Sequence, residues 1–238
     1  TVEELYSNRS TSSCSRSASN EDLVAHAATG LLEIGNTSLD KESSNNLEFG
    51  LRKHSGIITG EFSAYYNEIS DYIFLDVSAE SFEGKPIASY LAGDATFRGQ
   101  EAEVSFDLIR SPAGNLVLSF FGDIVKARFQ GGGDVPRIPA SKLGAELRYF
   151  GNNWSVHLHA TRISEQDDVG SLEIPTDGHT LVSIYADSHW ALSNGSDIKL
   201  FVRGDNLLDE EIRNHASFLK NIAPEAGRGF RLGVRWEY

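Results

Sequence analysis

The stretch Phe230-Arg-Leu-Gly-Val-Arg-Trp-Glu-Tyr238 decides the fold. Side chains of an extended strand alternate between two faces. Phe230, Leu232, Val234, Trp236 and Tyr238 therefore share one face, and Arg231, Gly233, Arg235 and Glu237 share the other. A soluble domain rarely closes on such a strand with an aromatic at its last position. A transmembrane β-barrel turns its apolar side chains to lipid and its polar ones inward, and places aromatics at the membrane interfaces. The stretch thus predicts a strand in an outer membrane, with Tyr238 near the periplasmic rim.

The same alternation runs back to Asn45. Leu47, Phe49 and Leu51 alternate with Glu48, Gly50 and Arg52; further strands are expected near 58–67, 88–108, 115–128, 140–150, 153–165, 180–191 and 197–208. Strands of about 9–11 residues suit a tilted bilayer crossing. The connections carry an independent signal. Lys53-His-Ser-Gly56, Ser111-Pro-Ala-Gly114, Gly151-Asn-Asn153 and Ser193-Asn-Gly-Ser196 have the composition of tight turns. Longer connections, near 77–87, 129–139, 166–179 and 209–226, alternate with them. Counting back from a periplasmic end, every short turn falls on the periplasmic side and every long one outside, the parity of outer-membrane barrels. The expected fold is therefore all-β, an antiparallel transmembrane β-barrel seen as roughly nine strands. An antiparallel sandwich shares the turn spacing but explains neither the parity nor the aromatic terminus.

Composition agrees. No apolar run approaches the roughly 20 residues of a membrane-spanning helix, as expected where apolar residues occupy alternate positions. A net charge of -13 argues against a nucleic-acid binder, which needs a basic face. The single cysteine, Cys14, allows no intrachain disulfide. Residues 1–44 differ from the rest: Thr1–Tyr6 suits a helical turn, and Ser7–Asn20 is a Ser-rich, low-complexity insertion. Parity places 1–44 as one long extracellular loop leading into barrel strands over 45–238. An odd strand count, no methionine and no leader together suggest the C-terminal piece of a longer chain.

Three further stretches carry a family resemblance. They are Leu31-Leu-Glu-Ile-Gly-Asn36 with Leu39–Gly50, then Val202-Arg-Gly-Asp-Asn-Leu-Leu-Asp209, then Arg213-Asn-His-Ala-Ser-Phe-Leu-Lys220 running on to Phe230. In order and spacing they resemble the later strands of TonB-dependent outer-membrane receptors, and are most similar to the zinc-uptake, ZnuD-like branch. The resemblance implies a barrel of about 22 strands, with an N-terminal plug and earlier strands that are absent here. It implies import of a scarce nutrient, with zinc as transported substrate, a siderophore or haem receptor of the same family as the alternative, and no catalytic cofactor. Outer-membrane lipid, the TonB complex and the barrel-assembly machinery are the implied partners, with Phe230, Trp236 and Tyr238 as the barrel-terminal signal.

Among the histidines, His26, His179 and His215 map to extracellular loops. The resemblance suggests His26, in Ala25-His-Ala-Ala-Thr-Gly30, as a contact for the incoming metal, with His215 and His179 as further candidates. Neutral imidazole and carboxylate are suitable zinc ligands. His157 and His159, two apart in a strand, share the inner face, where hydrogen bonding is the simpler role and chelation the alternative. Strand parity also turns Arg148, Arg203, Asp205, Arg231 and Arg235 inward, where they would dock a displaceable plug. Two alternatives of other classes remain open. Glu165, Asp167 and Asp168 with His179 could form an outer-membrane enzyme site, and a passive pore or adhesin would need no plug.

Overall fold

A computed structural model describes residues 23–193 and 195–238. The expected helical turn at Thr1–Tyr6, the Ser-rich stretch over Ser7–Asn20 and Cys14 lie outside the described residues. Strands β1 (Val24–His26) and β2 (Leu31–Ile34) are short. Nine long ones follow: β3 (Ser43–Lys53), β4 (Ile58–Phe82), β5 (Lys85–Ser111), β6 (Gly114–Phe129), β7 (Lys142–Gly151), β8 (Trp154–Ile163), β9 (His179–Ala191), β10 (Asp197–Asp205) and β11 (Gly229–Glu237). From β3 to β11 each pairs antiparallel with the next, so the chain forms one continuous curved wall.

Register fixes the two faces. In the last pair Leu200 lies opposite Val234, Val202 opposite Leu232 and Ile198 opposite Trp236, an apolar face open to the surroundings. On the other face Lys199 lies opposite Arg235 and Arg203 opposite Arg231. The same division continues across the sheet: Arg52 meets Glu61 at 2.7 Å on the charged side, while Leu47, Phe49, Leu51, Leu143 and Leu158 are exposed on the apolar side. Glycines on the charged face have a packing reason. A side chain at Gly144 would collide with the ring of Phe121, and one at Gly233 with the ring of Phe201.

Short connections close one end of the wall and long ones the other, with one correction. The connection expected near 77–87 is not a loop. β4 and β5 run on to a two-residue turn at Glu83-Gly84, whose φ values of 51° and 76° suit a tight hairpin. At about 3.3 Å per residue, the 27 residues of β5 span roughly 90 Å, about three times a bilayer core. The hairpin therefore stands well clear of the membrane band. Its pattern hid this because the register shifts between Ile69 and Tyr72 and between Val77 and Ser81, which breaks simple alternation.

Residues 23–44 also hold more than a connection. β1 and β2 form a hairpin, and β2 joins β5 in parallel, Leu32 opposite Ile87 and Ile34 opposite Ser89. It occupies a stretch of the β5 edge beyond the end of β6, which reaches along β5 only to Ala95. The buried apolar residues gather here. Val135 and Ile138, from the loop over 130–141, pack on Ala95 and Ala127 beside Tyr72 and Phe97. Leu31, Leu75 and Ala88 form a second cluster with Phe218 from the loop over 206–228. A wall one sheet thick has no core of its own; the loops and the projecting hairpin make one among themselves, and we call this part the cap.

Candidate functional site

Glu173, in the loop over 164–178, is the hub of the cap. Its carboxylate accepts hydrogen bonds from the backbone N–H of Gly170 at 2.9 Å and of Arg137 at 3.1 Å. It also accepts one from Lys220 Nζ at 2.7 Å, and lies 3.2 Å from His215 Nε2. Three loops thus converge on one carboxylate. An ionised Glu173 only accepts, so His215 donates from Nε2 and its Nδ1 takes the Thr176 hydroxyl at 2.9 Å. Burial alone would push the Glu173 carboxyl up. The hydrogen bonds from His215, Lys220 and the Gly170 and Arg137 amides outweigh it and bring the pKa to about 2. The loops are tied elsewhere too: Gln166 Nε2 donates to the Ile138 carbonyl at 2.9 Å, and Gly170 lies so close to Pro136 that a Cβ would sit 2.7 Å from it.

The base of the loop over 206–228 explains the Asn-Leu motif. Asn206, buried and at φ 48°, donates to the carbonyls of Glu210 at 2.9 Å and Ala226 at 3.3 Å, and accepts from Glu210 N at 3.1 Å. Asp209 accepts from Arg228 N at 2.8 Å. Together they staple the two ends of the loop where it leaves β10 and enters β11.

A cavity of about 350 Å3 opens between these loops, walled largely by Leu31, Leu75, Pro136, Phe218 and Ile222. Arg137, Asp76 and the Glu173–Lys220 pair are its charged lining residues. The Arg137 guanidinium lies over the Phe218 ring, 4.1 Å from its centroid. Its backbone is in the left-handed region, φ 60°, which aims its N–H at Glu173.

The three loop histidines have different fates. His26 is the accessible one, with Nδ1 3.9 Å from Glu33 Oε1. Glu33 is buried, held by Thr29 Oγ1 at 2.6 Å and the Tyr90 hydroxyl at 2.9 Å. His215 is buried in the Glu173 network, and His179 is buried at the start of β9 with an Nδ1 that has no partner among the described residues. Among the described residues no three His, Cys, Asp or Glu groups come together to hold a metal ion. Of the acids of 165–168, Asp168 is paired with Lys126 at 2.9 Å. On the inner face His159 stacks on Phe121 with ring centroids 5.1 Å apart and bonds Thr161 at 2.7 Å. His157 meets the rings of Phe150 and Tyr185.

The family model described as TonB dependent receptor-like, beta-barrel, matches residues 1–207. The chain belongs to the TonB-dependent receptor β-barrel family. Its strands are those of a bacterial outer-membrane barrel. Solved structures of the same fold include the copper transporter OprC, with TM-score 0.69 and 19% identity over 84% of this chain and 32% of that one. The FrpB iron transporter from Neisseria meningitidis aligns with TM-score 0.59 and 17% identity over 86% and 32%. The siderophore receptor PirA from Acinetobacter baumannii aligns with TM-score 0.57 and 17% identity over 86% and 33%. The chain spans about a third of the length of the structures it matches.

The five inward residues expected from parity share the charged face of the sheet. They pair along it: Arg203 and Arg231 share Asp205 at 2.9 and 3.5 Å, Arg148 lies 3.3 Å from Glu146, and Arg235 pairs with Glu237. Sequence reasoning missed the hub. Glu173 is a lone acid between Leu172 and Ile174, outside the acidic runs, and Arg137 follows a proline in a loop. Lys220 ends one of the family-like stretches, yet nothing in that stretch assigns it a partner.

Proposed function

We propose that the intact receptor imports a scarce metal nutrient across the outer membrane, with energy supplied from the inner membrane through TonB. One observation carries the reading. In a barrel of this family, the outward loops are cross-linked into a cap with its own core and a cavity, a preorganised surface for recognising a solute. The cargo that suits the cap best is a metal held in an organic chelate. The cavity walls are mainly apolar, and its charged lining groups, Arg137 and Lys220 with Asp76 and Glu173, balance in sign, so nothing there concentrates a bare divalent ion. Free zinc is the second reading, favoured by the accessible His26 beside the Glu33 carboxylate. Its other ligands would come from the plug, and His215 and His179 would join only after the cap opened.

The lumenal row of Arg148, Arg203, Asp205, Arg231 and Arg235 supports docking of a plug through polar contacts that can be pulled apart. The apolar face meets lipid, and Phe230, Trp236 and Tyr238 would be read by the barrel-assembly machinery. Uptake of labelled zinc and of labelled iron chelates, in cells with and without TonB, tests the import reading; uptake of neither, or uptake indifferent to TonB, overturns it. Calorimetry on the intact receptor separates the cargoes. Zinc binding that His26→Ala weakens favours the free ion, and its absence in a folded receptor leaves the chelate.

A further inference from the structure

The groups bordering the cap cavity are unequally satisfied. Glu173 and Lys220 are 2.7 Å apart and buried, and each completes the other. Arg137 is different. Its backbone N–H is committed to Glu173, but its guanidinium makes a single hydrogen bond among the described residues, a long one of 3.5 Å from Nη1 to the Leu75 carbonyl. A guanidinium has five N–H donors. No carboxylate forms an ion pair with it among the described residues. It is half-buried, and burial pushes its pKa down, with the Glu173 charge opposing that shift. Such a group remains charged, because arginine starts so far above neutrality. The ring of Phe218 holds the guanidinium plane in place at 4.1 Å. A positioned cation with open donors therefore borders an apolar chamber of about 350 Å3, within the range of small-molecule sites.

We propose that this cavity is a binding site for a small amphipathic organic molecule with a flat apolar body and one oxyanion group. The oxyanion takes the free donors of Arg137 in the paired geometry a guanidinium offers to a carboxylate. The flat body lies along Phe218, Leu75 and Ile222, where apolar contact replaces water. This goes beyond the import reading. The cavity is lined by loops of this chain together with residues of β2 and of the β4–β5 hairpin, so its binding can be read without following transport.

The test uses the intact receptor in lipid nanodiscs and 1-naphthoate as probe, followed by saturation-transfer difference NMR, with empty nanodiscs subtracted. Saturable binding is expected in the unmodified receptor. Arg137→Gln removes the charge and is expected to weaken it by about tenfold or more, the loss of a charge-assisted hydrogen bond. Ile222→Trp fills the mouth from an exposed position and is expected to abolish it. The uncharged 1-naphthamide should bind the unmodified receptor about tenfold more weakly than the acid. Folding of each variant is checked by the heat-dependent gel mobility of the barrel. No saturable binding to the unmodified receptor, or binding that survives both substitutions, overturns the proposal. Naphthoate binding with TonB-independent uptake would overturn the import reading alone, so the two fail separately.

Discussion

In the barrel wall Arg203 and Arg231 share Asp205 at 2.9 and 3.5 Å; both arginine side chains are exposed and Asp205 is partly so. In the cap Lys220 and His215 share Glu173 at 2.7 and 3.2 Å, and all three are almost wholly buried. The arrangements look alike on paper, two cationic or hydrogen-donating groups on one carboxylate. Burial makes them different objects. An exposed pair contributes about 0–1 kcal/mol and can exchange its partners for water or for an incoming surface. A buried network has already lost its water, so removing one member leaves the others stranded. The wall is thus suited to contacts that form and release, and the cap to holding a shape.

The largest effect expected from this contrast is at Lys220. Lys220→Ala leaves Glu173 and His215 buried without their cation, at a cost of about 3–5 kcal/mol. Hydrogen exchange in the intact receptor should speed by about a hundredfold or more over 164–178 and 206–228. Unchanged protection there would erase the distinction between cap and wall. Acid sharpens the same point. The folded pKa of Glu173, about 2, lies below its ordinary 4.5. Its ionised form therefore stabilises the cap fully above pH 4.5, by about 3 kcal/mol, and this is lost as pH falls through 2. Protease protection of the loops should fade over that window and not before it. Glu173→Gln should remove this component of the acid transition, and an unchanged transition would assign it elsewhere.

Two smaller effects test the wall. Leu200→Arg places a cation on the apolar face and should cost about 2–4 kcal/mol at midplane, less toward either rim, read as reduced folding into lipid vesicles. A silent substitution would invert the face assignment. Arg203→Ala, by contrast, should change barrel stability by no more than about 1 kcal/mol. Its charge-reversed variant should instead speed hydrogen exchange in the plug of the intact receptor; an unchanged plug would leave the lumenal row without a docking role.

Much of the wall was legible in the chain. Leu200 and Val202 against Lys199 and Arg203 announce a strand and both of its faces, and Gly195-Ser196 announces a turn. What was not legible lies where local rules are broken. β4 and β5 continue past the expected loop near 77–87 because bulges disturb their alternation, and β1 and β2 are too short to carry a pattern. Of the three histidines expected in loops, His26 ends β1 and stays partly exposed, whereas His179 starts β9 and, like His215, is buried.

The sequence by itself determined most strands of the wall, its apolar and charged faces, and the end at which most of the long connections lie. These follow from a two-residue period and from turn chemistry, both properties of neighbours in the chain. Only the tertiary structure decided the hub and the cavity. Glu173 stands 36 residues from Arg137 and 47 from Lys220, and no local preference relates them. Their meeting depends on separate loops folding onto one projecting hairpin, where burial turns three ordinary charged residues into a fixed network and leaves the Arg137 guanidinium with donors to spare.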